Sequence, residues 1–188
     1  MKKGCLVGGA ILLIVVIFGA WFVAGYNKVA RLDEAVEASW RQVDTVLQRR
    51  YDLIPNLVNT VKGYASHERE VFTDVTKLRS QWASAQSESE KIEAAQGMES
   101  AISRLLLVAE NYPDLKASQN FQSLQTQLEG TENRIAVQRM RYNEAVRKFN
   151  TYIRTLFGSF FANLRGLKEP APYFEAGEEA REVPEVQF

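Results

Sequence analysis

The chain has 188 residues, 23 Lys or Arg against 23 Asp or Glu, and a pI near 6.6. This balance leaves no cationic excess to displace counterions from phosphates, so no nucleic-acid partner is expected. The single cysteine, Cys5, excludes an internal disulfide and leaves the rest of the chain without a thiolate nucleophile or ligand.

The first element is Gly4 to Gly25, which contains no charged residue and no Pro, Asn, Gln, Ser or Thr. As a helix it would measure roughly 33 Å, enough to cross a hydrocarbon core of about 30 Å. Lys2 and Lys3 precede it, Lys28 and Arg31 follow it, and Trp21, Phe22 and Tyr26 stand where an interfacial aromatic belt would lie. Residues 1–25 are therefore predicted to be a transmembrane anchor. The alternative is a cleaved signal peptide ending at Val23-Ala24-Gly25, but the apolar run exceeds the roughly 7–15 residues of a signal h-region. Lipidation of Cys5 is not expected, because only Met1 to Gly4 precede it. Gly4 with Gly8, and Ala20 with Ala24, have the spacing that lets helices approach closely in lipid.

Beyond the anchor, Val29, Leu32, Val36, Trp40, Val43 and Leu47 recur in steps of 3 and 4, the signature of an amphipathic helix. Only Gly25 interrupts, so the transmembrane helix is expected to run on as one rod with a bend there. Pro55 disfavours the α region for Ile54 and suits a first helical turn, which predicts a break before it and a second helix after it. That helix would carry Leu57, Val61, Tyr64, Glu68, Val71, Val75, Leu78 and Trp82 in its seam, with another backbone packed close to Gly63. Ser84 to Ser89 reads as a loop, with Ser87 and Glu90 spaced as a capping box. A third helix with Ile92, Ala95, Met98, Ile102, Leu105 or Leu106, Ala109 and Tyr112 inward ends at Tyr112-Pro113-Asp114. A fourth runs from Phe121 through Leu124, Leu128, Thr131, Ile135, Gln138, Tyr142, Ala145, Phe149 and Tyr152 to Leu156, uninterrupted by Gly130. Thr131 and Gln138 are expected to fix register. Ser159 to Leu164 is a short apolar segment that either caps the bundle or touches the bilayer.

The predicted fold is all-α: an N-terminal transmembrane helix continuous with an elongated antiparallel four-helix bundle over 26–167. Residues 168–188 form an acidic, Pro-containing tail, extended or disordered, whose Tyr173-Phe174 could dock.

Chemistry is sparse. His67 is the only histidine, and His67-Glu68 begins a zinc-protease pattern whose second histidine is replaced by Val71. Neither a nitrogen- or sulfur-rich metal site nor the two-histidine di-iron arrangement of helical bundles has its ligands. No phosphate-binding loop and no nucleophile motif is present. No catalytic, cofactor-binding or metal-ligating residue is nominated, and no cofactor or small-molecule substrate is expected. Arg49, Arg50, Asp52 and Asp44 form either a partner-binding cluster or, as expected here, a solvated helix end with local ion pairs. Phe160 and Phe161 are either a membrane- or partner-touching patch or buried end caps.

Several strings carry a resemblance. They are Arg49-Arg50-Tyr51-Asp52-Leu53-Ile54-Pro55-Asn56-Leu57-Val58, Val61-Lys62-Gly63-Tyr64-Ala65 with His67-Glu68, and Tyr112-Pro113-Asp114-Leu115-Lys116-Ala117. Leu128-Glu129-Gly130-Thr131-Glu132-Asn133-Arg134-Ile135, Tyr142-Asn143-Glu144-Ala145-Val146, Tyr152-Ile153 and Pro172-Tyr173-Phe174 add to them. From about Tyr26 to Phe174 the chain resembles the LemA family, departing from its pattern at Gly158, where the family usually has a proline. The resemblance implies a bacterial protein with an N-terminal membrane helix and a helical bundle. It implies no activity and carries no catalytic or ligand residue over; relatives in magnetosome membrane formation, or found beside membrane metalloproteases, point to membrane organisation.

The expected function is that of a non-enzymatic single-pass protein of the bacterial inner membrane. It would act as a self-associating scaffold that organises a membrane patch or a membrane protein complex. Its partners would be the lipid bilayer, further copies of itself and a membrane protease complex. The alternative is a monomeric membrane-tethered adaptor that recruits a partner such as a membrane protease. Lys2, Lys3 and the amino terminus place the bundle outside the cytoplasm; Lys28, Arg31 and Arg41 argue the opposite.

Overall fold

The computed structural model describes residues 2–65 and 67–175, with side chains from Val7 on. The side chains of Lys2, Lys3 and Cys5 and the tail segment 176–188 lie outside the described residues. Among the described residues six helices follow in order: α1 (Lys2–Lys62), α2 (Arg69–Ser84), α3 (Glu88–Glu110), α4 (Pro113–Ala117), α5 (Gln119–Ile153) and α6 (Leu156–Leu164). Among the described residues there is no strand.

The break expected before Pro55 does not occur: the proline lies inside α1, which continues to Lys62. A proline there lacks the N–H for the carbonyl four residues back and crowds that carbonyl, at a cost of about 3 kcal/mol. The buried stripe explains why the helix persists, since Leu47, Tyr51, Ile54, Leu57 and Val61 keep helical phase on both sides of the proline. The turn comes instead at Gly63, where the amides of Tyr64 and Ala65 donate to the Val61 carbonyl at 3.0 and 2.8 Å. Gly63 is thus exposed at a helix end rather than packed mid-helix, and Tyr64, expected inward, is exposed. The second helix shortens to α2, where Val75 and Trp82 are buried as expected.

α3 starts as read, with the Ser87 hydroxyl accepting from the Glu90 amide at 3.2 Å. The Glu90 carboxylate reaches back to the Gln86 amide at 2.8 Å, one residue before the cap. Ile92, Ala95, Met98, Ile102, Leu105 and Ala109 are buried, with Leu105 rather than Leu106 filling the core. The fourth long helix, α5, ends at Ile153, three residues before the expected Leu156. Gln138, Ala145 and Tyr152 are only partly buried along it, while Ile135, Tyr142, Val146 and Phe149 carry the buried stripe. The buried Thr131 hydroxyl donates to the Leu128 carbonyl of its own helix at 2.8 Å, so no other helix is needed to satisfy it.

The chain divides into two compact units, Met1–Trp40 with Arg141–Ala171 and Arg41–Met140 with Pro172–Phe188. In the second unit, four helical segments are tied by ion pairs. Lys91 of α3 meets Asp44 of α1 at 2.8 Å, and Arg104 of α3 meets Asp74 of α2 at 2.9 Å. Arg139 of α5 meets Glu99 of α3 at 3.0 Å, and the buried Arg50 of α1 meets Glu132 of α5. Tyr51 stacks on Trp82 at 4.3 Å between α1 and α2, and Phe174 is buried beneath Arg139 at 5.1 Å. In the first unit, α1 and α5 run antiparallel, with Trp40 against Tyr142 at 5.4 Å and the Lys28 ammonium 4.4 Å from the Tyr152 ring. There the buried Asn150 amide clamps the extended segment after α6: Nδ2 donates to the Ala171 carbonyl at 2.9 Å, and Oδ1 accepts from its amide at 2.8 Å.

Candidate functional site

The site assembles in the first unit, where α6 docks on α1. Two local devices make α6 a separate helix. Thr155 has extended backbone (φ −76°, ψ 155°), and its hydroxyl accepts from the Gly158 amide at 3.1 Å, an N-cap that starts a new helix. A side chain at position 158 would bring its Cβ to 1.9 Å from the Tyr152 carbonyl oxygen, so only glycine fits the reversal. At the other end Gly166, at φ 75°, takes the left-handed conformation that closes the helix, and the Leu167 amide donates to the Ala162 carbonyl at 2.9 Å.

At about 100° per residue, Leu156, Phe157, Phe160 and Leu164 share one arc of α6, while Gly158, Phe161 and Ala162 share the other. The second arc is buried against α1. Phe161 packs on Trp21 at 5.5 Å and on Phe22 at 5.4 Å. Its ring occupies the space that a side chain at Gly25 would need, 2.1 Å from an added Cβ. Gly25, the expected bend point, lies within α1 and serves as the seat of this ring. Phe157 meets Trp21 edge-on at 5.3 Å and 84°. The first arc is open: Leu156 is 81% exposed, Phe157 57%, Phe160 49% and Leu164 53%.

Basic groups lie on the segments that flank α6 and on α1 beyond Gly25. The Arg165 guanidinium lies 4.7 Å from the Tyr26 ring, Lys28 sits over Tyr152, and Arg154 and Lys168 are exposed. Near Arg165, burial pushes the Asp33 carboxyl up; the Arg165 charge opposes that shift, and Glu37 and Glu34 add to it. On the exposed side of α5, hydrogen bonds from Arg147 and then Lys148 hold the Glu144 carboxyl down at about 2. In the second unit, burial pushes the Tyr51 phenol above its usual range in spite of Arg50 and Arg139.

The four charged residues singled out near the end of the first helix do not form one cluster. Asp44 and Arg50 each point to another helix through Lys91 and Glu132, whereas Arg49 is exposed and Asp52 accepts from the Gln48 amide at 2.9 Å. Two of the four are thus interhelical ties rather than local pairs at a helix end. His67 is exposed in the turn after α1. Among the described residues, no group of three or more His, Cys, Asp or Glu could hold a metal ion. A groove of about 370 Å³ between α2 and α3 is lined by Leu78, Gln81, Ser84, Glu90, Glu93 and Gly97; the Ser84 hydroxyl donates to the Gln81 carbonyl at 3.1 Å, and the Glu90 carboxylate accepts from the Gln86 amide. Of the two phenylalanines singled out, Phe161 is buried, as the end-cap reading has it, and Phe160 is exposed. Periodicity sets Leu156 on the inward stripe of the fourth helix, whereas it is exposed on α6; Leu164 reads only as the end of the short apolar segment, and Phe157 is not singled out. The Thr155-x-x-Gly158 cap was the local signal that could have marked α6 as a separate helix.

Among the described residues the fold is therefore all-helical, with one helix, at the N-terminus, long and apolar enough to cross a membrane, and a short apolar helix packed at the end of that stretch. The chain belongs to the LemA family, whose model matches residues 39–188. It is similar to magnetosome proteins MamQ 1 and MamQ 2 of Paramagnetospirillum magneticum, each 26% identical over 189 aligned residues, 87% of this chain and 69% of the relative. Protein LemA of Metamycoplasma hominis is 25% identical over 168 residues, 89% of this chain and 76% of that protein. Magnetosome protein MamQ of Magnetospirillum gryphiswaldense is 23% identical, over 87% of this chain and 70% of its own length.

Proposed function

We propose that this chain is a non-enzymatic, single-pass protein of the bacterial inner membrane, which associates with further copies of itself and so organises a membrane patch or a membrane protein complex. The observation that carries this reading is the open small-residue face of α1. Gly8, Gly9 and Gly19 have nothing within 4 Å of an added side chain, and the side chains from Val7 to Phe18 are exposed. Gly8 and Gly19 are eleven residues apart, about 20° of rotation, and Gly4 falls on the same face. Such a face lets a second helix approach closely in lipid. The similarity to magnetosome proteins supports an organising role. The Lys2–Lys3 pair supports a domain outside the cytoplasm, and a reporter fused at the C-terminus tests that side.

Crosslinking in cells and sizing of the detergent-purified full chain test the reading. A ladder of self-multiples, lost in Gly8→Leu/Gly19→Leu, is expected. A single heterologous band would favour an adaptor that recruits one partner protein. A monomer, together with unchanged membrane behaviour after deletion of the apolar segment, would sink the proposal.

A further inference from the structure

The open arc of α6 has an occupant that the geometry around it specifies. We infer that α6 is a second membrane-contacting element, an interfacial helix that buries Leu156, Phe157, Phe160 and Leu164 among lipid acyl chains where α1 leaves the bilayer. The inference rests on the reading that α1 crosses the membrane.

Height is the first argument. The buried arc of α6 is seated on Trp21, Phe22 and Gly25, the last residues of the apolar stretch of α1. If Gly4 to Gly25 spans the hydrocarbon core, these residues lie at its edge, and a helix packed directly on them lies at the boundary of acyl chains and headgroups. Continuity is the second. Phe18 lies 5.5 Å from Trp21, and Trp21 lies 5.3 Å from Phe157, so the exposed apolar surface of α1 runs into that of α6 without a polar gap. Whatever covers Phe18 and Trp21 in the membrane also meets Phe157. Composition is the third. Tyr26, Tyr152 and Trp21 border the apolar arc, as aromatic side chains do at a bilayer surface. Lys28 and Arg165, held over the Tyr152 and Tyr26 rings, and the exposed Arg154 and Lys168, which flank α6 in the chain, supply positive charge that suits anionic headgroups. The acidic groups on this side are Asp33 with Glu34 and Glu37 on α1, and Glu169 after α6.

A second copy of the chain is the competing occupant, and one experiment separates the two. The full-length chain with Cys5→Ser carries a nitroxide at Leu156→Cys, Phe160→Cys or Leu164→Cys, with Val15→Cys as a label inside α1 and Arg104→Cys as a water-exposed control. It is reconstituted in vesicles of phosphatidylethanolamine and phosphatidylglycerol. Accessibility to oxygen and to a water-soluble nickel chelate is then measured. Labels on α6 are expected to favour oxygen over the chelate at least fivefold relative to Arg104→Cys, as Val15→Cys does. Chelate access at α6 equal to that at Arg104→Cys, with Val15→Cys in lipid, would overturn this inference alone. Chelate access at Val15→Cys would overturn the crossing of the membrane and the inference with it. Spin–spin broadening at α6 that disappears on dilution with unlabelled protein would make the occupant a second copy and also overturn it. Leu156 is the most exposed of the four, so its label reports without disturbing the buried arc; unchanged helical circular dichroism verifies the fold of each variant.

Discussion

Replacing Pro55 with alanine should stabilise the protein. The substitution sits inside α1, seven residues before its end, with Tyr51, Ile54 and Leu57 buried around it. A helix-interior proline is about 3 kcal/mol less favourable than alanine, because it removes a hydrogen bond and crowds the preceding turn. Proline also stiffens the unfolded chain, which returns about 0.4–1 kcal/mol to the native protein. The net gain for Pro55→Ala is then about 2 kcal/mol. For a chain of this size that is a rise in Tm of roughly 4–8 °C. Thermal unfolding of the detergent-solubilised full chain, followed by circular dichroism at 222 nm, measures it directly. A fall in Tm would mean that the local distortion imposed by the proline is what lets Ile54 and Leu57 reach the core. It would refute the argument that packing overcomes an unfavourable residue.

Gly158→Ala should cost about 2–4 kcal/mol, the sum of a lost cap and a steric clash that the backbone cannot relieve, and hydrogen exchange should accelerate first at residues 156–164. Protection of α6 equal to that of the parent chain would contradict it. Glu132→Gln leaves the Arg50 guanidinium buried without its counter-charge; because Glu132 is itself partly exposed, the loss should be about 1–2 kcal/mol in urea unfolding, and Arg50→Met should cost less. Glu144 has a folded pKa of about 2, below the ordinary carboxylate value of 4.5, so the stability it adds is complete above pH 4.5 and lost as pH falls towards 2. Glu144→Gln should flatten stability against pH in that window, and 1 M salt should do the same in the parent because both side chains reach solvent. Gly25→Ala should displace the Phe161 ring and speed exchange in α6, with partial recovery in Gly25→Ala/Phe161→Leu; unchanged protection in the single variant would show that the ring moves aside freely.

Periodicity made the long helices legible, because a helix that buries one stripe must repeat every three or four residues. The stripes through Val29, Val36, Trp40, Val43 and Leu47 and through Ile92, Met98, Ile102 and Leu105 lie buried where the spacing puts them. The same property hid both boundaries that were misplaced. Leu47 to Val61 keeps phase across Pro55, so the stripe and the proline gave opposite signals, and packing prevailed. Tyr152 to Leu156 is a step of four, so the pattern ran through the reversal at Thr155. The true first turn carries Gly63 directly after α1, a helix-stop residue that the continuous stripe places mid-helix, and its far side is weakly marked: Glu68 stands at the N-cap of α2 without a side-chain cap hydrogen bond. The interhelical ties were illegible for another reason. Arg50 and Glu132 are 82 residues apart, and no local rule pairs them.

The candidate site follows the same division. That Ser159 to Leu164 is apolar was plain from composition, but composition cannot say which arc of a nine-residue helix is covered. That is decided by the space at Gly25, more than 130 residues earlier, which accepts the Phe161 ring and thereby turns Leu156, Phe157, Phe160 and Leu164 outward. A glycine that reads in sequence as a bend therefore acts through its missing side chain. Had position 25 carried a leucine, the same α6 sequence could not seat Phe161 there, and the arc that now faces outward would not be fixed. The orientation of the apolar arc, and with it any role at the bilayer surface, rests on that one absent Cβ.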